Sequence, residues 1–248
     1  MKPRSTQNRS VSATEFIRLL LDLQHSDEAR RIAIAGADLE PQMASLRNWQ
    51  SARLRRTYAD LLADPGYAPA CTFFLTDVYA PRDFSQRDQD AERLYAILSR
   101  FLPDFALRLL ADAIRLNRIS EYLDQRLLRV LVQELGVRQE ITSQAYAEAY
   151  RICDNYSERK LQIQLLIRTL NEAAQGARSM VFTASLRLAR APAQRLGWFE
   201  VYDFLDRGAE ACRPMPDVGH FVNTIEQREM LILERIFADE PDPFEPPG

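Results

Sequence analysis

The sequence predicts an all-α protein. Glycine is scarce, 8 of 248 residues. Strict alternation of β-branched and polar residues is almost absent, and apolar residues recur at helical spacing instead. Prolines and capping residues punctuate that spacing at intervals suited to helices. The expected architecture is a single-domain bundle of about ten helices. Residues 1–11 are expected to be a flexible N-terminal tail, 12–238 the helical domain and 239–248 a Pro-rich disordered tail.

The elements follow in order. Ser12 with Glu15 suits a capping box before Phe16–Leu23. Ser26, followed by Asp27 and Glu28, suits a second short start. A long helix is expected from Pro41 to Ala63, stopped by Asp64-Pro65-Gly66. Pro69 fits the first turn of the next, which runs through Val78 and ends before Pro81. Ser85 caps a helix to Phe101, and Pro103 opens another to Asn117. Ser120 caps Glu121–Leu135, with Gly136 as a left-handed terminator. Thr142 caps Ser143–Cys153, and Ser157 caps a helix ending near Gly176. Helices over Met180–Ala189 and Trp198–Cys212 precede the break at Pro214-Met215-Pro216, and the last runs from Val218 to Ala238.

Bulk composition narrows the function classes. A net charge of -3 and a pI near 5.6 argue against a nucleic-acid binder, which needs excess positive charge. Of 32 basic residues only Lys2 and Lys160 are lysine. A GC-rich genome accounts for that bias, and so does recognition of anions by planar guanidinium groups. Cys71, Cys153 and Cys212 are widely spaced, with no CxxC, so a reducing cytoplasm is expected rather than a disulfide framework or zinc site. No apolar run reaches the ~18 residues of a membrane span. Met1–Ser10 is polar and basic without an apolar core, unlike a secretory signal.

Helical wheels locate polar residues on faces that should be apolar. On the last helix Phe221, Val222, Ile225, Ile232, Leu233 and Ile236 share a face, with Glu229 in its middle and Arg228 and Arg235 at its edge. On the long helix Met43, Leu46, Leu54, Tyr58 and Leu61 form the inner stripe. Gln50, Thr57 and Arg47 lie within it, and Arg53 at its border. Asp77 falls between the directions of Phe73 and Phe74, while Arg87 and Asp90 point the same way as Leu94, Ile97 and Phe101. A buried carboxylate needs a cationic or hydrogen-bonding partner, or it keeps its proton. The economical expectation is that these groups meet. The candidate cluster is Arg47, Arg53, Asp77, Tyr79, Arg82, Asp83, Arg87, Asp90 and Glu229. It serves either packing specificity or a ligand, since perturbed carboxylates gather in functional pockets.

Familiar catalytic motifs are missing. There is no G-x-S-x-G, G-x-G-x-x-G or Walker-type loop. His25 and His220 lie on unrelated segments, which disfavours a histidine-rich metal centre. Asp83, Asp88 and Asp90 lack the spacing of magnesium-binding aspartates, and Arg82 and Arg87 compete with a cation there. No cofactor is expected. Trp49 and Trp198 read as packing residues.

Three stretches carry a resemblance. They are Trp49-Gln50 with Arg53-Leu54 and Thr57 to Leu62; then Phe73-Phe74-Leu75 with Asp77, Tyr79, Pro81-Arg82-Asp83-Phe84 and Arg87-Asp88; then Thr224-Ile225 with Arg228-Glu229 and Ile236-Phe237. In these the chain resembles a family of uncharacterised bacterial all-helical proteins, with Ala80 where glycine is expected. The resemblance implies the fold and no particular activity.

The functional expectation is a cytoplasmic helical protein that binds a protein partner or a small anionic ligand near the Arg/Asp/Glu cluster, and a homo-oligomer is compatible with it. No nucleic acid and no membrane partner is expected. The alternative is an enzyme with Asp77 or Glu229 as acid or base, Tyr79 as hydrogen-bond donor and Arg82 holding an acidic substrate.

Overall fold

The structure is a computed structural model that describes residues 40–78, 91–138 and 140–245, together with Glu15 and Arg18. Its described residues are helical, without strands. The helices are α1 (Glu40–Thr57), α2 (Ala59–Ala63), α3 (Ala68–Phe73), α4 (Ala91–Phe101), α5 (Asp104–Arg129), α6 (Ser143–Cys153), α7 (Tyr156–Ala177), α8 (Met180–Leu196), α9 (Phe199–Cys212) and α10 (Val218–Phe237). Two π-helical turns, Phe74–Val78 and Val130–Glu134, extend α3 and α5.

Local chemistry sets most boundaries as expected. The Thr142 and Asp217 side chains accept from the Ala145 and His220 amides and cap α6 and α10. The Gly66 amide donates to the Asp64 carboxylate at 2.7 Å in the turn after α2. Pro69 sits in the first turn of α3. Gly136 adopts φ 66 where the Leu135 amide reaches back to the Val130 carbonyl.

Four helix boundaries are corrected. The predicted Pro41–Ala63 helix is interrupted at Tyr58, whose φ is -113 and ψ 26. There the Thr57 carbonyl accepts from Arg228 Nη1 at 2.7 Å. The break expected between Asn117 and Ser120 does not occur: α5 runs unbroken for 26 residues. Ser120 is no cap, and its hydroxyl accepts from Gln162 Nε2 at 2.7 Å. Asn155, rather than Ser157, precedes α7. The predicted Met180–Ala189 helix continues through Pro192 to Leu196, where Gly197 at φ 80 ends it. Proline forfeits one ladder bond, and the burial of Ala189 and Ala193 on the inner face holds the helix together across it.

The tail expected to be disordered instead turns back onto the bundle through residue 245. Phe244 lies edge-on to Trp49, 5.2 Å between centroids, and to Tyr146 at 5.7 Å. Trp49 itself stacks on Tyr146 at 4.0 Å, so it does pack, as expected.

α7 is the central strut and packs along both α5 and α10. The largest apolar cluster joins α2, α3 and α4 to α5, α7, α8, α9 and the start of α10. A smaller one joins the first half of α1 to the end of α5 and to α6. α8 leaves Met180, Val181 and Leu188 exposed. No described helix is long and apolar enough to cross a membrane.

Candidate functional site

The inner stripes of α1 and α10 are buried as their wheels predict, and each brings one charge inward. Arg53 Nη1 donates to Glu229 Oε1 at 2.6 Å. The Tyr58 hydroxyl donates to the same oxygen at 2.7 Å. The break at Tyr58 ends α1 where this contact forms. Burial, then the nearby Glu229 charge, push the Tyr58 hydroxyl well above its usual range, so it stays a donor. The wheel offered Arg228 and Arg235 as partners for Glu229. Arg228 instead grips Asp60 through both guanidinium nitrogens, at 2.7 and 2.8 Å. That hydrogen bonding holds the Asp60 carboxyl below the usual carboxylate range. Arg235 turns to Glu240 and the Glu245 carbonyl.

Asp77 is buried and takes a 2.7 Å bond from Arg207 Nη2 on α9. The Thr76 hydroxyl donates to its other oxygen at 2.8 Å. Arg207 also pairs with Asp203 one turn away. Glu229 thus pairs with Arg53, and Asp77 with Arg207, a residue outside the expected cluster. Tyr79, Arg82, Asp83, Arg87 and Asp90 lie outside the described residues.

Beside Arg53 and Glu229 the helices leave a hollow. α1, α5, α6, α7 and α10 enclose it, with Phe244 on one side. It offers about 70 Å³ to the centres of water-sized molecules, room for roughly five waters. Its polar wall includes Arg53, Asp124, Arg159, Gln162 and Glu229; Leu116, Leu166, Ile232 and Leu233 are among its apolar residues. Asp77 does not line it.

Two of the charged residues in this wall escaped the wheel reading. Asp124 sits on α5 and Arg159 on α7. Asp124 Oδ1 accepts from Gln50 Nε2 at 2.9 Å, and Gln50 also reaches the Tyr146 hydroxyl at 3.3 Å. Asp124 retains accessible surface yet has protein packed all round it, as a group facing an enclosed hollow does. Burial pushes its carboxyl above the usual range, against the opposing charge of Arg159, the Gln50 hydrogen bond and the charge of Arg47. Arg159 is buried at 2 % exposure. Its guanidinium lies over the Tyr150 ring, 4.3 Å from the centroid. It donates to Gln162 Oε1 at 3.1 Å and to the Leu123 carbonyl at 3.3 Å. A signal was legible for both: Asp124 stands one turn before Leu128, and Arg159 one turn before Ile163, on apolar stripes.

The sequence profile of a domain of unknown function, DUF8198, matches residues 29–243. The chain belongs to the DUF8198 family. No curated protein and no solved structure matches it. The DUF8198 match spans every helix of the cavity wall, from α1 to α10. Among the described residues, no group of three or more His, Cys, Asp or Glu side chains is disposed to hold a metal ion.

Proposed function

We propose that this DUF8198 chain binds a small organic anion in the hollow between α1, α5, α6, α7 and α10. The observation that carries the reading is the makeup of the polar wall. Two guanidinium groups, Arg53 and Arg159, face one cavity. Gln162, Ser120 and Asn117 add further donors. The wall's acceptors are the weaker half. Glu229 is already engaged by Arg53 and Tyr58. Asp124 is pushed toward its neutral form by burial. A donor-rich wall in a partly enclosed hollow suits an acceptor-rich head such as a carboxylate. The apolar residues of the same wall, Leu116, Leu166, Ile232 and Leu233, suit a hydrocarbon body.

Thermal unfolding with hexanoate, and with hexan-1-ol as the uncharged control, tests this. A ligand that binds only the folded state raises Tm by about 5–10 °C at a hundredfold excess over Kd for a chain of this size. Hexanoate is expected to give that rise and the alcohol is not. Equal responses, or none, contradict the reading.

A second reading is an enzyme that uses a cavity carboxylate as acid or base on an acidic small molecule. Asp124 favours it, because burial raises its carboxyl, the direction a carboxylic general acid or base needs. That reading expects slow conversion of the bound acid by the natural chain and none by Asp124→Asn with binding kept. A reducing cytoplasm fits either reading, since Cys71, Cys153 and Cys212 are free and buried.

A further inference from the structure

A second cavity lies further along α5, α7 and α10, which also wall the first. It offers about 40 Å³ to water-sized centres, and its walls include Phe73, Ala113, Ala173, Phe204, Ala209 and Cys212. No charged residue lines it. Thr169, one of its few polar residues, spends its hydroxyl on the Leu165 carbonyl at 2.8 Å. Burial raises the Cys212 thiol to about 11, so it stays a neutral, soft surface. A space walled this way stays dry and takes only apolar matter.

The two cavities have a fixed axial order. On α5 the apolar cavity uses Leu109 and Ala113, and the polar one begins at Leu116. On α7, running the other way, the polar cavity ends at Leu166 and the apolar one begins at Thr169. On α10 the order repeats, with Phe221 at the apolar cavity and Glu229 at the polar one. Their facing walls are therefore about one helical turn apart along α5 and α7, roughly 5 Å, and about two turns apart along α10, roughly 12 Å. The residues at that boundary, Leu116, Leu166 and Ile225, are apolar and buried. They fill the boundary, so a chain passing between the cavities has to move these apolar side chains aside.

We infer that the ligand is an amphipathic carboxylate whose head rests between Arg53 and Arg159 and whose unbranched hydrocarbon tail extends past Leu116 and Leu166 into the Phe73–Phe204 cavity. The inference rests on the anion-binding reading and adds the class of molecule. A short acid fills the polar hollow alone, whereas a medium-chain acid reaches both. Each methylene buried in the second cavity is expected to tighten binding roughly fourfold.

Calorimetric titration of the full chain with butanoate and octanoate tests it. Octanoate is expected to bind far more tightly than butanoate. Ala209→Leu, which fills the second cavity from α9, is expected to bring octanoate down to the butanoate level and leave butanoate unchanged. Ala173→Leu fills the same cavity from α7 and serves if the first variant folds poorly. Octanoate binding no tighter than butanoate, or a chain-length gain that persists in the filled variants, overturns the two-cavity ligand and leaves the anion site standing. No binding of either acid overturns the anion site, and this inference with it.

Discussion

Arg53 and Glu229 lie 176 residues apart in the chain, and their side chains meet at 2.6 Å with only 6 % and 13 % of each exposed. The Tyr58 hydroxyl completes the contact on the same carboxylate oxygen. Removing one member of a buried pair strands the other charge, which costs ~3–5 kcal/mol. Arg53→Ala is expected to lose stability in that range in urea unfolding at neutral pH. Tyr58→Phe removes one hydrogen bond to a charged group and is expected to lose less, about 1.5–3 kcal/mol. The reverse order contradicts the assignment of Arg53 as the partner of Glu229.

Asp124 carries a pH signature. Burial raises its folded carboxyl above the value of 3.8 it has when exposed. The folded state then holds a proton that the unfolded chain has released, so this group makes stability fall as pH rises between the two values. Below the unfolded value the carboxyl is neutral in both states and contributes nothing. Asp124→Asn keeps an acceptor for Gln50 but never ionises. Its Tm is expected to match the parent near pH 4, rise relative to it as pH climbs, and level off above the folded pKa. A difference that is flat across that range contradicts the raised value.

Phe244 ties the C-terminal segment to the cavity. It touches Trp49 and Tyr146 and lines the hollow. Phe244→Ala is expected to lose about 1–2 kcal/mol, less than a fully buried aromatic because the ring is only partly covered. Iodide quenching of Trp49 fluorescence is expected to increase as its edge is uncovered. Unchanged quenching indicates that the segment does not pack there.

Gly176 sits on α7 where a Cβ would approach Phe105 Cε2 to 2.9 Å. Helix propensity alone favours alanine there by up to ~1 kcal/mol. The clash opposes it, because Phe105 is braced edge-on against Phe182 at 5.3 Å. Gly176→Ala is expected to destabilise by about 1–3 kcal/mol, and a stabilised variant contradicts the close packing of α7 against the start of α5.

The fold was legible because helical spacing and local capping are short-range signals. Thr142, Gly136 and Pro69 act within a turn of where they stand, and each marks its boundary in the structure. The misread boundaries involve distant partners. Ser120 looks like a cap in sequence, yet its hydroxyl meets Gln162 across a helix interface. Tyr58 breaks a periodic helix where Arg228, far along the chain, takes the Thr57 carbonyl. The site follows the same pattern. A wheel shows that Glu229 and Asp77 face inward, because that depends on their own helices. It puts Arg53 in one cluster with Glu229 but cannot pair the two, nor name Arg207 for Asp77, because that depends on how helices dock. Asp124 and Arg159 each stand on an apolar stripe, but only the crossing of α5 and α7 makes them walls of one hollow.

The claim that the hollow is an anion site is tested most directly by a crystal structure of the chain grown with octanoate. The account predicts the carboxylate within hydrogen-bond distance of Arg53 or Arg159, with the tail directed along α7 toward Phe73 and Phe204. A hollow holding only ordered water, with octanoate on the outer surface, would contradict it.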